Sequence, residues 1–205
     1  MRQVLGKRYG QSGLGKGEQI LRDLARHPST GKHLCLKLAR HFIADEPPVG
    51  LLAALEARWH ETEGDIPAVV RTLLHHPEAL APAQRKLKTP REFVVSVMRA
   101  SGLHASDVPG LLRVLSDLGQ PALGAGSPAG FKDVGSAWDG AEALMTRIDW
   151  VEQLGAHIPK GDPLAIARSA LGGWLSKRTI TAIQRADSRR QALSLLFMSP
   201  EFLRR

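Results

Sequence analysis

Cysteine is almost missing from this sequence. Cys35 stands alone in 205 residues, so no disulfide can form within the chain. Stability must come from a packed interior, and a lone cysteine fits a reducing compartment. Aromatic residues are scarce too, at 5%, with Tyr9 the single tyrosine. No run approaches the roughly 18 apolar residues that a membrane-crossing helix needs. The opening Met-Arg-Gln-Val-Leu-Gly-Lys-Arg-Tyr-Gly carries charge but no apolar core of an export signal. On this reading the chain inserts into no membrane and stays in the cytoplasm as written. If it is a fragment of a longer precursor, export is the expectation instead.

The spacings that carry chemistry are also absent. There is no H-E-x-x-H and no cysteine pair, so the eight histidines form no metal-binding pattern. His75 and His76 are adjacent and diverge on a helix, while Lys37 lies between His33 and His41 and would repel a cation. His27 and His76 each precede a proline at a helix junction, where an imidazole can satisfy orphan backbone groups. No G-x-S-x-G turn presents a serine. Cys35, inside Leu34-Cys35-Leu36, reads as a buried structural thiol. Asp45-Glu46, Glu61 and Glu63 fall at helix ends, and nothing sets two carboxylates across a cleft. Gly10-Gln11-Ser12-Gly13-Leu14-Gly15-Lys16 fits G-x-x-x-x-G-K. The residue after it is Gly17, though, where a phosphate loop needs a hydroxyl for magnesium, and Lys7-Arg8-Tyr9 is no apolar strand. No catalytic residue, nucleotide site, metal or cofactor is therefore expected.

What the sequence does have is helical periodicity. Ile20, Leu21 and Leu24 share one face of a short helix. Pro28, Ser29 and Thr30 interrupt it and supply the cap of the next, whose stripe is Leu34, Leu38, Phe42 and Ile43. Asp45-Glu46-Pro47-Pro48 ends that helix. Leu51, Leu52, Leu55 and Trp59 mark a third, stopped at Gly64. Asp65 caps a fourth along Ile66, Val69, Val70, Leu73 and Leu74. Thr89-Pro90-Arg91-Glu92 is a capping box with proline at the first helical position, so Phe93–Met98 reads as helix although its composition would suit a strand. Leu111, Leu112, Leu115 and Leu118 mark a further helix closed by Gly119. A Gly/Pro-rich stretch follows through 135, long enough to be functional or mobile. A helix then carries Leu144, Met145, Ile148, Val151 and Leu154, and shorter ones lie near 163–171, 177–186 and 188–198. The four tryptophans read as core or seam anchors.

The expected fold is all-α, an irregular bundle of about eight to ten helices. Residues 1–17 form a flexible, Gly-rich, basic lead-in and 18–118 the bundle. Residues 119–137 are the loop, and 138–205 are helices packed on the same core.

The net charge of +8 is uneven. Residues 1–41 hold nine lysines and arginines against Glu18 and Asp23 only. Such a segment attracts phosphates or acidic surfaces when it is not simply solvated.

Several segments together resemble the bacterial family known as domain of unknown function 1800. They are Leu24-Ala25-Arg26-His27-Pro28-Ser29-Thr30 and Lys37-Leu38-Ala39-Arg40-His41-Phe42-Ile43-Ala44-Asp45, then Gly64-Asp65, Leu73-Leu74 and Pro77-Glu78. Lys88 to Val95, Leu118-Gly119-Gln120-Pro121 with Pro128, Gly130 and Trp138, and Ser199-Pro200-Glu201-Phe202 complete the set. The chain looks like the C-terminal half of such proteins, and it has Asp149-Trp150 where the family tends to carry Asn and Phe. The resemblance implies a helical fold, supplies no established catalytic or ligand residues, and implies that export is common among relatives.

Three functional readings follow. The first is a non-enzymatic interaction module whose partner is another protein or the missing N-terminal half. The second is part of a shared enzyme site that binds an anionic substrate through the basic N-terminal helices. The third, weaker, is non-specific nucleic-acid binding by residues 1–41. The candidate binding residues are His27, Lys32, Lys37, Arg40 and His41 of the basic helices, with Gln120, Pro121 and Trp138 of the loop.

Overall fold

The computed structural model describes residues 2–80, 86–104, 108–159 and 161–205. Among them are ten α-helices and one two-stranded sheet, so the fold is all-α with a minor hairpin. The chain divides into two compact units, Met1–Gln84 and Arg85–Arg205.

The first unit opens with β1 (Arg2–Val4) and β2 (Lys7–Tyr9), paired antiparallel with Gln3 opposite Arg8. Leu5 and Gly6 form the two-residue turn with φ of 46° and 80°. Positive φ at both positions matches the right-handed twist of a hairpin, and leucine makes an unusual first residue there. This is why composition gave no warning of a hairpin inside the expected lead-in. The lead-in also ends sooner than residue 17, because α1 (Gly13–Ala25) begins within the glycines.

Next comes α2 (Pro28–Phe42). Its cap is His27 in place of the expected Ser29 or Thr30: the imidazole Nδ1 accepts from Ser29 N at 3.2 Å. Proline at N1 places the preceding residue at the cap, and here that residue has a ring nitrogen to offer. α3 (Val49–Glu61) and α4 (Ile66–His75) follow, with a single tight turn at Pro77–Leu80. Asp65 stands at the cap position of α4 without a side-chain bond to it. Pro48 cannot cap α3 through a side chain, and Glu78 Oε2 accepts from Leu51 N at 3.0 Å instead. The core of this unit is Cys35, Ala39, Ile43, Leu51, Leu55, Trp59, Val69 and Leu73. Gly31 lets the Trp59 indole lie directly on α2, and Gly64, at φ 92°, ends α3 beside the same ring.

The second unit starts with α5 (Pro90–Ser101), whose Thr89–Glu92 capping box is fully formed. It continues with α6 (Val108–Asp117), α7 (Ala141–Gly155), α8 (Pro163–Leu171), α9 (Lys177–Gln184) and α10 (Arg189–Phe197). α10 is central, burying Ala192, Leu193, Ser194, Leu196 and Phe197. With Phe93, Val97, Val151, Ile158, Ala167, Ile183 and Phe202, the four apolar ones, Ala192, Leu193, Leu196 and Phe197, form a second core cluster. The C-terminal helices thus close a core with α5, formed by residues between 93 and 202. Residues 86–88 run antiparallel to 203–205, with Lys88 N donating to Leu203 O at 2.8 Å and Arg205 N to Lys86 O at 3.0 Å.

The loop after α6 is built from local bonds. Gly119, at φ 83°, is the left-handed residue ending the helix, and Gln120 N closes on Leu115 O at 2.8 Å. Trp138 Nε1 donates to Lys132 O at 3.2 Å, and its ring lies 6.2 Å from that of Phe131.

Candidate functional site

Tyr9 ends β2 and is buried, although it belongs to the stretch expected to be flexible. A buried phenol needs a partner for its hydroxyl, and Tyr9 Oη donates to Asp23 Oδ2 at 2.8 Å. Lys7, two residues back on the same face of the strand, reaches the same oxygen at 2.7 Å. One carboxylate oxygen on α1 thereby holds the hairpin. The hydrogen bond from Lys7, together with that from Tyr9, holds the Asp23 carboxyl below its ordinary range. The bond to Asp23 raises the Lys7 ammonium, while desolvation and then Asp23 raise the Tyr9 phenol. Beside this cluster is a cavity of about 300 Å³ lined by Val4, Leu5, Lys7, Tyr9, Asp23, Leu24, Arg26, His27 and Pro28. Arg26 also meets Glu63 at 3.1 Å.

A second cavity, about 370 Å³, belongs to the second unit. Its walls are Met98, Leu103, His104, Gly110, Leu111, Val114, Trp150, Gln153, Leu154 and His157, contributed mainly by α5, α6 and α7. It is apolar except for two imidazoles and an amide. A third, about 400 Å³, is formed by the loop with Phe131, Lys132 and Trp138.

The expected site residues do not form one constellation. His27 lines the first cavity. Lys32 and His41 are exposed on α2, and Lys37 and Arg40 are half-buried there. Arg40 Nε donates to Asp45 O at 3.1 Å, and the His41 ring stands edge-on to Phe42 at 4.6 Å. None of the three cavities includes Lys32, Lys37 or Arg40. Gln120 is a helix cap: its Oε1 accepts from Arg91 N at 2.9 Å in the first turn of α5. Pro121 carries the carbonyl of the next turn, to Gly124 N. Trp138 lines the loop cavity. His27 and α2 belong to the first unit, and the three loop residues belong to the second.

Sequence reasoning passed over two features. The Lys7–Tyr9–Asp23 cluster depends on the unforeseen hairpin. Arg147 is fully buried, and Nε and Nη1 find no partner among the described residues. The signal for Arg147 was present, since it falls within the apolar stripe of α7, three after Leu144 and four before Val151. Among the described residues no group of three or more His, Cys, Asp or Glu converges as a metal site, and no helix is long and apolar enough to cross a membrane.

These features define a two-unit helical protein with one apolar groove and one small polar cavity. The chain matches a family model described as protein of unknown function (DUF1800) over residues 1–204, and it belongs to that family. No curated protein and no solved structure matches it.

Proposed function

We propose that the chain is a non-enzymatic interaction module whose groove beside α6 seats an amphipathic helix of a protein partner. The supporting observation is α6 itself. None of its residues is fully buried, although Leu111, Val114, Leu115 and Leu118 follow one helical stripe: the first three are only half-buried, and Leu118, just past the helix end, is buried. A helix normally spends such a stripe on a neighbour. Here Leu111 and Val114 face open space walled by Met98, Leu103, Trp150 and Leu154. A channel walled by helices accepts the ridge of another helix, with apolar anchors at i, i+3 or i+4, and i+7. Gln153, His104 and His157 supply the polar points that orient it.

The test is a display selection of helical peptides against the folded chain, repeated on Val114→Asp. Expected is enrichment of peptides with that apolar spacing, and at least roughly tenfold weaker binding to the variant, because a carboxylate in an apolar groove stays unpaired. Peptides that bind both proteins equally, or a selection that returns no apolar pattern, would defeat the proposal.

A further inference from the structure

The charges around the cavity of the first unit pair off, Lys7 with Asp23 and Arg26 with Glu63, but the N–H groups of these cations outnumber the acceptors they meet. Asp23 spends one oxygen on two donors, Tyr9 Oη at 2.8 Å and Lys7 Nζ at 2.7 Å. Its charge is already answered. The donors are far from spent. Lys7 has three ammonium protons and Arg26 has five N–H groups, of which Arg26 places one nitrogen, Nη2, on Glu63. His27 accepts at Nδ1 from Ser29 N, so the proton of its neutral ring sits on Nε2, which is a donor. The remaining wall, Val4, Leu5, Leu24 and Pro28, is hydrocarbon. A cavity with surplus donors and an apolar wall matches an anionic head with a short apolar tail. Its volume of about 300 Å³ lies at the small end of ligand pockets, which limits the ligand to a compact one.

We propose that this cavity binds a small organic oxyanion, a carboxylate or phosphate monoester with a short apolar tail, through Lys7, Arg26 and His27. The Arg26–Glu63 pair is well exposed on both sides, 64% and 69%. A solvated ion pair of this kind is cheap to break. The anion takes Arg26 from Glu63, while Asp23 keeps Lys7 and Tyr9 in place.

Two arms separate the sources of the anion. The isotope-labelled full chain is titrated with acetate and butyrate in one arm, and with inorganic phosphate and ethyl phosphate in the other. Amide and arginine Nε–H shifts are the readout. Saturable shifts confined to residues 4–9 and 23–28 are expected in at least one arm, and the arm that saturates identifies the head group. Within it the tailed ligand binds roughly tenfold tighter, because two further methylenes leave water. Glu63→Gln frees Arg26 and tightens binding about threefold or more, as expected when a competing ion pair is removed. Lys7→Met weakens binding with an unchanged circular dichroism spectrum. Glu63 is not in the cavity wall, so its variant remains informative if Lys7→Met loosens the hairpin. Shifts that never saturate, that ignore the tail, or that are unaffected by Glu63→Gln overturn the assignment.

Discussion

Arg147 Nη2 donates a 3.0 Å hydrogen bond to the carbonyl oxygen of Lys88. This bond fastens the segment in front of α5 to the middle of α7. The guanidinium carbon lies 5.1 Å from the Phe93 ring centroid, and among the described residues no side-chain acid pairs with it to lower the cost of burial. Burial alone moves the Arg147 pKa downward. A buried cation without a counter-charge is a liability, and an apolar side chain of similar size often does as well. Arg147→Met, which fills the site but also strands the Lys88 carbonyl, should therefore lose only about 1–2 kcal/mol. Arg147→Ala should lose about 3–5 kcal/mol, since it empties the site and strands the carbonyl. Urea unfolding of both variants checks this; equal losses would mean that the charge itself is required.

Lys88 gives the stability a pH dependence. Its Nζ donates to Phe202 O at 2.6 Å and lies 4.3 Å from the Phe202 ring centroid. Burial lowers its pKa from 10.5 to about 8, against a smaller upward pull from Glu92. Between those two values the unfolded chain holds a proton that the folded chain has released, so stability rises with pH through that window. Below it the penalty for burying the ammonium is felt in full. Denaturant midpoints measured across the window should climb more steeply for the parent than for Lys88→Met. Parallel curves would count against the assignment.

Gly31→Ala tests packing against propensity. In a helix interior this exchange normally gains about 1 kcal/mol. Here the new methyl would meet Trp59 Cδ1 at 2.5 Å, and the indole, itself buried, would have to shift to admit it. A net loss of about 1–3 kcal/mol is expected from overpacking. A raised melting temperature would show that Trp59 repacks freely.

Cys35 should report the opening of the first unit. It is fully buried, and burial pushes its thiol up to about 11. The thiolate is the reactive form, so alkylation near neutral pH should wait for unfolding and accelerate with denaturant in parallel with loss of helicity. Labelling of the native chain at the rate of a free thiol would contradict the packing of α2.

Much of the fold was legible because its signals are short-range. The Thr89–Glu92 box starts α5 as its spacing requires, and Pro28 and Pro90 each stand at the first residue of a helix. The faces were read less well. Leu21, Phe42, Leu74 and Met145 were placed on inward stripes, yet all four are exposed. A stripe fixes which residues share a side, and only the neighbouring elements decide how wide a side is covered. Of the expected binding residues, His27 lines the cavity of the first unit and Trp138 the loop cavity. Lys32, Lys37, Arg40 and His41 were chosen for charge and spacing, which do not reveal whether a cavity lies beside them.

By itself the sequence determined where the helices start, stop and turn, since caps, prolines and i to i+4 stripes act over a few residues. Tertiary structure decided which distant groups meet: Tyr9 with Asp23, Gly31 with Trp59, Leu51 with Glu78, Lys88 with Arg147. Those pairings depend on how the helices of each unit pack and on a hairpin turn made by a leucine. Burial then sets the chemistry, because the same lysine or arginine is an ordinary solvated charge on a surface and, at Lys88 and Arg147, a group whose pKa burial pulls down.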